Sequence, residues 1–279
     1  MMKPGLQESA EQQMAAEVRL QELTGSLEAF FESAGSVVVA LSGGVDSALL
    51  AAIAGKTLGT RALAVTGVSP SYPDVQRAMV QSVVGRFELE HEWVHTNEIE
   101  DERYVRNAPD RCYFCKSELY TRLSLLAQDR GYSLVVDGTN ADDLTDHRPG
   151  RVAAEELGVR SPLVECGAGK RDVRALARVL DVPVWDAPAS ACLASRIPHG
   201  TPVTIARLGR VERAEAALRG LGFRQLRVRH HEDIARIEIA PEEMPAALDA
   251  AMARAMSEAV RAAGFGRVVL DLDGYRSRE

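Results

Sequence analysis

An α/β fold, with a parallel sheet covered by helices and a smaller C-terminal α+β domain behind it, is what this sequence predicts. Three observations carry it. From residue 36 to residue 137, short β-branched runs alternate with segments of helical period. A tight glycine turn, Ser42-Gly43-Gly44-Val45-Asp46-Ser47, joins one such run directly to a helix. Near residue 200 the order changes to helix, two strands, helix, strand, which predicts a small unit with an antiparallel sheet.

The elements follow in order. Leu20, Leu23, Leu27 and Phe30 recur at helical spacing, so about 8–33 is an amphipathic helix. Val37 to Leu41 is an apolar strand, and Ala48 to Ala54 is a strong helix opening within about 46–57. A strand over 61–67, a helix over about 73–86 and an alternating strand from Glu88 to His95 come next. Cys112 opens a helix running to about 129, and Tyr132 to Asp137 is the fourth strand. Such sheets bind ligands at the carboxyl ends of their strands. Ser42, Thr66 to Ser69 and Asp137 to Asn140 emerge there. A boundary at about 195–202 separates a domain over 1–200 from one over 201–279. The second domain reads as helix 203–220, strands 225–230 and 234–239, helix 242–263 and strand 267–271.

Composition bounds the partners. The 279 residues are 46% hydrophobic and 26% charged, enough for a large core plus a second domain. A net charge of -7 argues against nonspecific binding to nucleic acid or an anionic membrane. The chain shows neither a membrane-length apolar run nor a signal-peptide core, so a cytoplasmic protein is expected. Its 4 cysteines are too few for a disulfide scaffold and point to metal binding or chemistry.

The turn from Ser42 to Ser47 aims backbone N–H groups at one point, where the helix dipole also favours an anion. It is not a Walker A loop, because no Gly-Lys-Ser/Thr follows. It resembles the SGGxDS pyrophosphate loop of the PP-loop ATP pyrophosphatases (adenine nucleotide alpha hydrolase-like proteins). Those enzymes split ATP between its α and β phosphates and adenylate a substrate oxygen. Asp137-Gly138-Thr139-Asn140-Ala141-Asp142-Asp143 ends a strand and offers Gly138, Thr139 and Asn140 to a nucleotide. Read alone it is equally an acid-rich surface turn. Asp46, Asp142, Asp143 and Asp146 are candidates for Mg²⁺, which ATP chemistry needs.

Cys112 and Cys115 form a Cys-x-x-Cys pair at a helix start between Arg111 and Lys116. Such a pair is redox-active, zinc-binding or packed, and a zinc ribbon would need a second pair that is absent. With Cys192 it can instead hold three irons of a [4Fe–4S] cluster, leaving the fourth open to an extra sulfide. Cys166 reads as a buried thiol, Trp93 and Trp185 as packing residues, and His230-His231 as side chains on opposite strand faces.

Four blocks in order resemble the LarE family of ATP-dependent sulfur transferases over about 36–276. They are Ser42 to Ser47, Pro109 to Lys116, Asp137 to Asp143 with Arg148-Pro149-Gly150, and Cys192 to Pro198. The resemblance implies ATP and Mg²⁺ as cofactors and a small pyridinium-dicarboxylate mononucleotide as substrate. One carboxylate is adenylated and its activated oxygen replaced by sulfur, towards the nickel-pincer cofactor of lactate racemase. It also implies a homo-oligomer. Two sulfur sources occur in the family: a cysteine matching Cys192 that becomes dehydroalanine, and a [4Fe–4S] cluster on three cysteines. All three are here, so Cys112, Cys115 and Cys192 are expected to hold a cluster.

The chemistry suits the residue types, because a thiolate or metal-bound sulfide is the matched nucleophile for an acyl adenylate. Positive groups must stabilise the developing charge. Lys116 is the candidate near the nucleotide, and Ser69 lies at the same strand edge. Arg196, Arg227, Arg229 and Arg276 are candidates for the substrate's phosphate and carboxylates, against the alternative of ordinary surface arginines. Glu215 resembles part of an acidic metal site in the family. Competing readings are a tRNA thiolase, an amidotransferase-like pyrophosphatase such as an NAD synthetase, and a non-catalytic ATP and cluster sensor. The acidic balance weighs against the first, and the cysteine set has no purpose in the second.

Overall fold

The computed structural model describes residues 4–145, 149–188 and 191–276. Asp146 and Arg148, both named above, lie outside them. By compactness the chain divides into two units. The first comprises Met1–Gly67, Gln76–Val94 and Lys116–Ala187, and the second Val68–Val75, His95–Cys115 and Pro188–Glu279.

The first unit is built on a parallel sheet of β1 (Val37–Ala40), β2 (Ala62–Val68), β3 (His91–His95) and β4 (Leu134–Val136), in the order β3-β2-β1-β4. Strand β1 is central, pairing in parallel with β2 from Val37↔Ala62 and with β4 from Val37↔Leu134. Both faces are covered, and the period of two decides which side chain meets which core. Val37, Val39, Ala62, Ala64 and Val136 enter one cluster, whereas Val38, Leu63, Val65 and Val135 enter the other. The first cluster is closed by α1 (Pro4–Ala34), α2 (Val45–Leu58), α3 (Asp74–Phe87) and a later helix. Helix α2 is buried from Ala48 to Ala54, hence apolar all round rather than striped. The second cluster is closed by a helix over Arg111–Arg130, through Tyr120, Leu123 and Ala127.

The sequence reading meets three corrections. The strand expected from Glu88 begins at His91, because Glu88 takes a left-handed φ of 50° as α3 ends. Between 149 and 179, which carried no assigned element, lie α6 (Pro149–Glu156), α7 (Pro162–Glu165) and α8 (Lys170–Val179), after α4 (Glu102–Val105) and α5 (Arg111–Arg130). The second unit's sheet is mixed rather than antiparallel. Its strands β5 (Leu226–His231) and β6 (Ile234–Ile239) form an antiparallel hairpin, while β6 and β7 (Arg267–Leu270) run parallel. The reason is the crossover, since a chain returning through a helix enters the next strand from the same end.

That crossover is itself divided into α10 (Met244–Ala247) and α11 (Ala250–Ala262). Asp249 ends the first and caps the second, its carboxylate accepting from the N–H groups of Ala251 and Met252 at 2.9 and 3.0 Å. Helix α9 (Ile205–Gly220) packs Leu208, Val211 and Leu218 into the same core as Val228, Ile237 and Ile239 of the sheet. Among the described residues, no helix is long and apolar enough to cross a membrane.

Helix α1 enters the first core through Leu23, Leu27 and Phe31, one above another at intervals of four residues. Leu27→Ala should therefore cost about 2–5 kcal/mol of stability by leaving a cavity. Val18→Ala, at a side chain 48% exposed, should cost almost nothing. Urea unfolding followed by tryptophan fluorescence checks this, since Trp93 and Trp185 both belong to the first unit.

Candidate active site

The turn after β1 closes on itself through its serines. The Ser47 hydroxyl donates to the Gly44 carbonyl at 3.0 Å and accepts from the Ser42 N–H at 3.1 Å. With its own proton so placed, it also accepts from the Ser42 hydroxyl at 3.1 Å. The ring of bonds holds the turn open at the start of α2, where backbone N–H groups have no helical partner. Gly43 has φ of 91°, and a Cβ there would stand 3.0 Å from the Gln76 carbonyl oxygen. Chain direction and crowding both demand glycine.

The loop after β4 comes against the same helix start. A Cβ on Gly138 would lie 2.7 Å from the Ser47 nitrogen and 3.0 Å from its Cα, both backbone atoms. Asp137 fixes the loop from behind. Its carboxylate accepts from the Tyr120 hydroxyl (2.8 Å), the Ser161 hydroxyl (2.7 Å), and the Thr139 N–H (3.1 Å) and hydroxyl (2.9 Å). Asn140 is buried and donates from Nδ2 to Asp46 at 2.9 Å, joining the two loops. Lys116 lies in the same unit with Nζ 5.1 Å from the Tyr120 ring centre, one side chain from Asp137.

The acids here divide by task. Burial pushes the Asp46 carboxyl above its ordinary value; the Asn140 hydrogen bond opposes this, and nearby Asp143 adds to it. Asp142 accepts the Lys170 N–H at 2.7 Å and so caps α8, while Asp143 accepts from the Asn140 N–H at 3.3 Å. Asp46, beside the glycine turn, is the carboxylate best placed to meet a nucleotide-bound cation. In β2, the buried Thr66 hydroxyl donates to the Leu41 carbonyl at 2.7 Å and accepts from His91 Nε2 at 2.9 Å. That bond sets the tautomer, and burial keeps the imidazole below its ordinary pKa.

Cys112, Cys115 and Cys192 all belong to the second unit and are free thiols. Cys115 and Cys192 pack against one apolar core, and Cys112 is exposed. Arg111 is buried beside them. Burial works to lower its pKa, but the sulfurs of Cys192 and Cys112, the latter hydrogen-bonded to it, outweigh that and raise it. Tyr104 is buried too, its phenol pKa pushed up first by burial and then by Cys192. Its hydroxyl pairs with that of Ser71 at 2.5 Å. Ser69 donates to Glu98 at 2.5 Å, and the other oxygen of Glu98 is buried with no partner among the described residues. Also among those residues, no three His, Cys, Asp or Glu side chains gather as a single-ion site. A cubane cluster spreads its thiolates over several irons, so its ligands stand further apart than those of one ion. The three cysteines lie in one unit, and none is in a disulfide. Cys166 is half-buried in the first unit, and burial raises its thiol pKa.

The arginines fall into distinct roles. Arg196 donates from Nε to Glu215 at 2.8 Å, and its Nη1 reaches the carbonyls of Ala191 (2.8 Å) and Cys192 (3.2 Å) and the Ser195 hydroxyl (3.0 Å). Glu215, 1% exposed, also accepts from Arg219 at 2.9 Å and from the Val228 N–H at 3.1 Å. The pair thus holds the backbone around Cys192, and the Glu215 carboxylate is taken up by cations and an amide. Arg229 forks onto Glu238 at 2.9 and 3.1 Å and donates to the Ser195 carbonyl at 3.0 Å. Arg276 forms an exposed pair with Asp273 at 3.0 Å. Arg227 lies over the Tyr275 ring at 4.3 Å and has no carboxylate within ion-pair distance among the described residues. Burial lowers its pKa, with Arg196 and Arg229 also pressing down.

Comparison with known proteins now decides the family. The asparagine synthase family model matches residues 20–165. The pyridinium-3,5-bisthiocarboxylic acid mononucleotide synthase of Lactiplantibacillus plantarum, a LarE protein, is 36% identical over 242 residues, covering 86% of this chain and 87% of its own. The chain belongs to the LarE family. Family members of this kind are ATP-using enzymes of PP-loop architecture. An uncharacterized protein of Synechocystis is 44% identical over 252 residues (90% of this chain, 94% of its own). One of Methanocaldococcus jannaschii is 28% identical over 241 (86% and 91%).

Against this LarE frame, sequence reasoning missed Tyr104, Asn107, Glu98 and the anchoring role of Asp137. Asp137 had a signal, an acid closing an apolar strand. The others had none, because their partners are far away in sequence.

Two outcomes follow from the geometry. Gly138→Ala should force the loop away from α2 and lower ATP affinity about tenfold or more, read by calorimetric titration, because the opposing atoms are backbone. Asp46 has a native pKa above its unfolded one, so its ionisation opposes folding and the cost appears as pH rises through the native value. Asp46→Asn should therefore melt above the parent at pH 7, with the gain vanishing at acid pH. Melting curves over a pH series test this.

Proposed function

We propose that this chain is an ATP-dependent sulfurtransferase acting on pyridinium-3,5-biscarboxylic acid mononucleotide, in assembly of the nickel-pincer nucleotide. A substrate carboxylate oxygen attacks the α-phosphorus of ATP, pyrophosphate leaves, and the carboxyl becomes an acyl adenylate. A nucleophilic sulfur then forms a bond to that carbon as the carbon's bond to the AMP oxygen breaks and AMP leaves, and cleavage of the sulfur's bond to its donor frees the thiocarboxylate. The observation that carries this reading is that one chain has both a glycine turn closed by its serines at a helix start and three cysteines, none in a disulfide, in one unit. The synthase activity for which the Lactiplantibacillus relative is named supports it.

The residues have matched tasks. N–H groups at the start of α2 take the ATP phosphates, with Asp46 and Asn140 beside them for the accompanying Mg²⁺. Lys116 offers a cation to the developing charge, and Arg227, free of a carboxylate partner among the described residues, suits the substrate's anionic groups. Cys112, Cys115 and Cys192 would hold a [4Fe–4S] cluster, whose open iron supplies a transferable sulfide. In a second reading Cys192 gives up its own sulfur, and Cys112 and Cys115 are structural.

Anaerobic incubation with ATP, Mg²⁺ and the dicarboxylate mononucleotide tests the proposal. The expected result is AMP, pyrophosphate and a product with one oxygen replaced by sulfur; in Cys192→Ala the thiocarboxylate is lost, while the preceding adenylation still releases pyrophosphate. Peptide mass analysis distinguishes the sulfur sources: an intact Cys192 after several turnovers fits the cluster, and dehydroalanine at that position fits sacrifice. ATP hydrolysis with no thiocarboxylate would refute both.

A further inference from the structure

The two thiol-bearing segments, far apart in sequence, meet at one buried residue. Asn107 is fully buried and holds a left-handed φ of 57°, a conformation asparagine tolerates better than most residues. Its Nδ2 donates to the carbonyls of Pro198 at 2.8 Å and Thr201 at 2.9 Å, with Ile197 at 3.3 Å. Its own carbonyl accepts from the Gly200 N–H at 3.0 Å and faces His199 Nδ1 at 3.2 Å. Its Oδ1 accepts from Arg111 Nη1 at 2.5 Å, and the same Nη1 donates to the Ala194 carbonyl at 2.9 Å. One amide and one guanidinium thus join the loop leading into Cys112 to the stretch following Cys192.

Ordinary packing does not require this arrangement. An apolar residue would cost more in the left-handed backbone and would leave the carbonyls of Pro198 and Thr201 without this donor, whereas a buried polar network fixes one alignment. The bonds converge on 194–201, directly behind Cys192, and on Arg111, directly before Cys112. We infer that Asn107, acting with Arg111, is a positioning residue that sets the register of the Cys112–Cys115 segment against Cys192, so that the sulfur-handling thiols are aligned before any ligand binds. The purpose given to the thiols rests on the proposed sulfurtransferase reading; the register itself does not.

The experiment uses the full-length chain carrying Cys115→Ser and Cys166→Ser, so that one thiol remains in each segment. It is treated, without iron, ATP or substrate, with bifunctional thiol reagents of stepped spacer length. The Cys112–Cys192 link is quantified by peptide mass analysis, and melting curves are recorded on the same samples. The parent should link sharply at one narrow range of spacers. Asn107→Gly keeps the left-handed backbone but removes the amide. It should broaden the range and cut the peak yield about tenfold, the factor that losing one or two buried hydrogen bonds implies. Asn107→Asp, which keeps the acceptor and loses both donors, should do the same at an unchanged fold. A parent-like spacer profile in either folded variant overturns the inference, as does a parent that links at no spacer. Unfolding of both variants overturns it too, because a local clasp leaves the cores intact. Failure of the sulfurtransferase reading would appear in turnover assays and leave this linking pattern untouched.

Discussion

A missing Cβ at Gly138 governs the first unit. With 2.7 Å between an imagined Cβ and the Ser47 nitrogen, the loop after β4 can lie on the start of α2 only if residue 138 is glycine. That approach brings Asn140 to Asp46 and makes two strand ends one surface. Such closeness must be held against the conformational entropy of two loops. Asp137 supplies the hold, with four donors from a helix, a distant serine and the loop itself. The buried β1 fixes the height of both loops by pairing with β2 on one side and β4 on the other.

The second unit solves a different problem. Its sulfur atoms sit on two kinds of segment: Cys112 and Cys115 open α5, whereas Cys192 lies on an irregular stretch where neither helix nor strand ladders dictate position. Buried ionic and amide contacts replace them. The pair of Arg196 and Glu215 removes two charges from water, an expense that hydrophobic packing would avoid. What it secures is position: the guanidinium ties the carbonyls of Ala191 and Cys192 to α9, and Glu215 ties α9 to β5 through the Val228 amide. Arg111 approaches from the other side, with its charge facing two sulfurs.

Motifs and cores differ in how much of this could be read beforehand. The hexapeptide from Ser42 to Ser47 announces an anion turn, because its glycines, serines and neighbours act within six residues. The unbroken apolar run from Val37 to Val39 likewise announces a strand covered on both faces, and the two clusters sort its side chains by parity. Short charged helices such as α8 escaped, although its buried Val173, Leu176 and Ala177 recur at helical spacing. The parallel pairing of β6 with β7 depends on the route the chain takes between them, which neither strand encodes.

By itself the sequence determined the PP-loop architecture, the glycine turn after β1 and the spacing of the cysteines, since these rest on local spacing and residue chemistry. Tertiary structure decided which cations are committed. Arg196 and Arg229 belong to carboxylates, whereas Arg227 has none within reach among the described residues. It also decided that Asn107 should touch the stretch behind Cys192. Ion pairs and buried amides are formed by side chains that meet only after the backbone has been folded, so no window of neighbouring residues contains them.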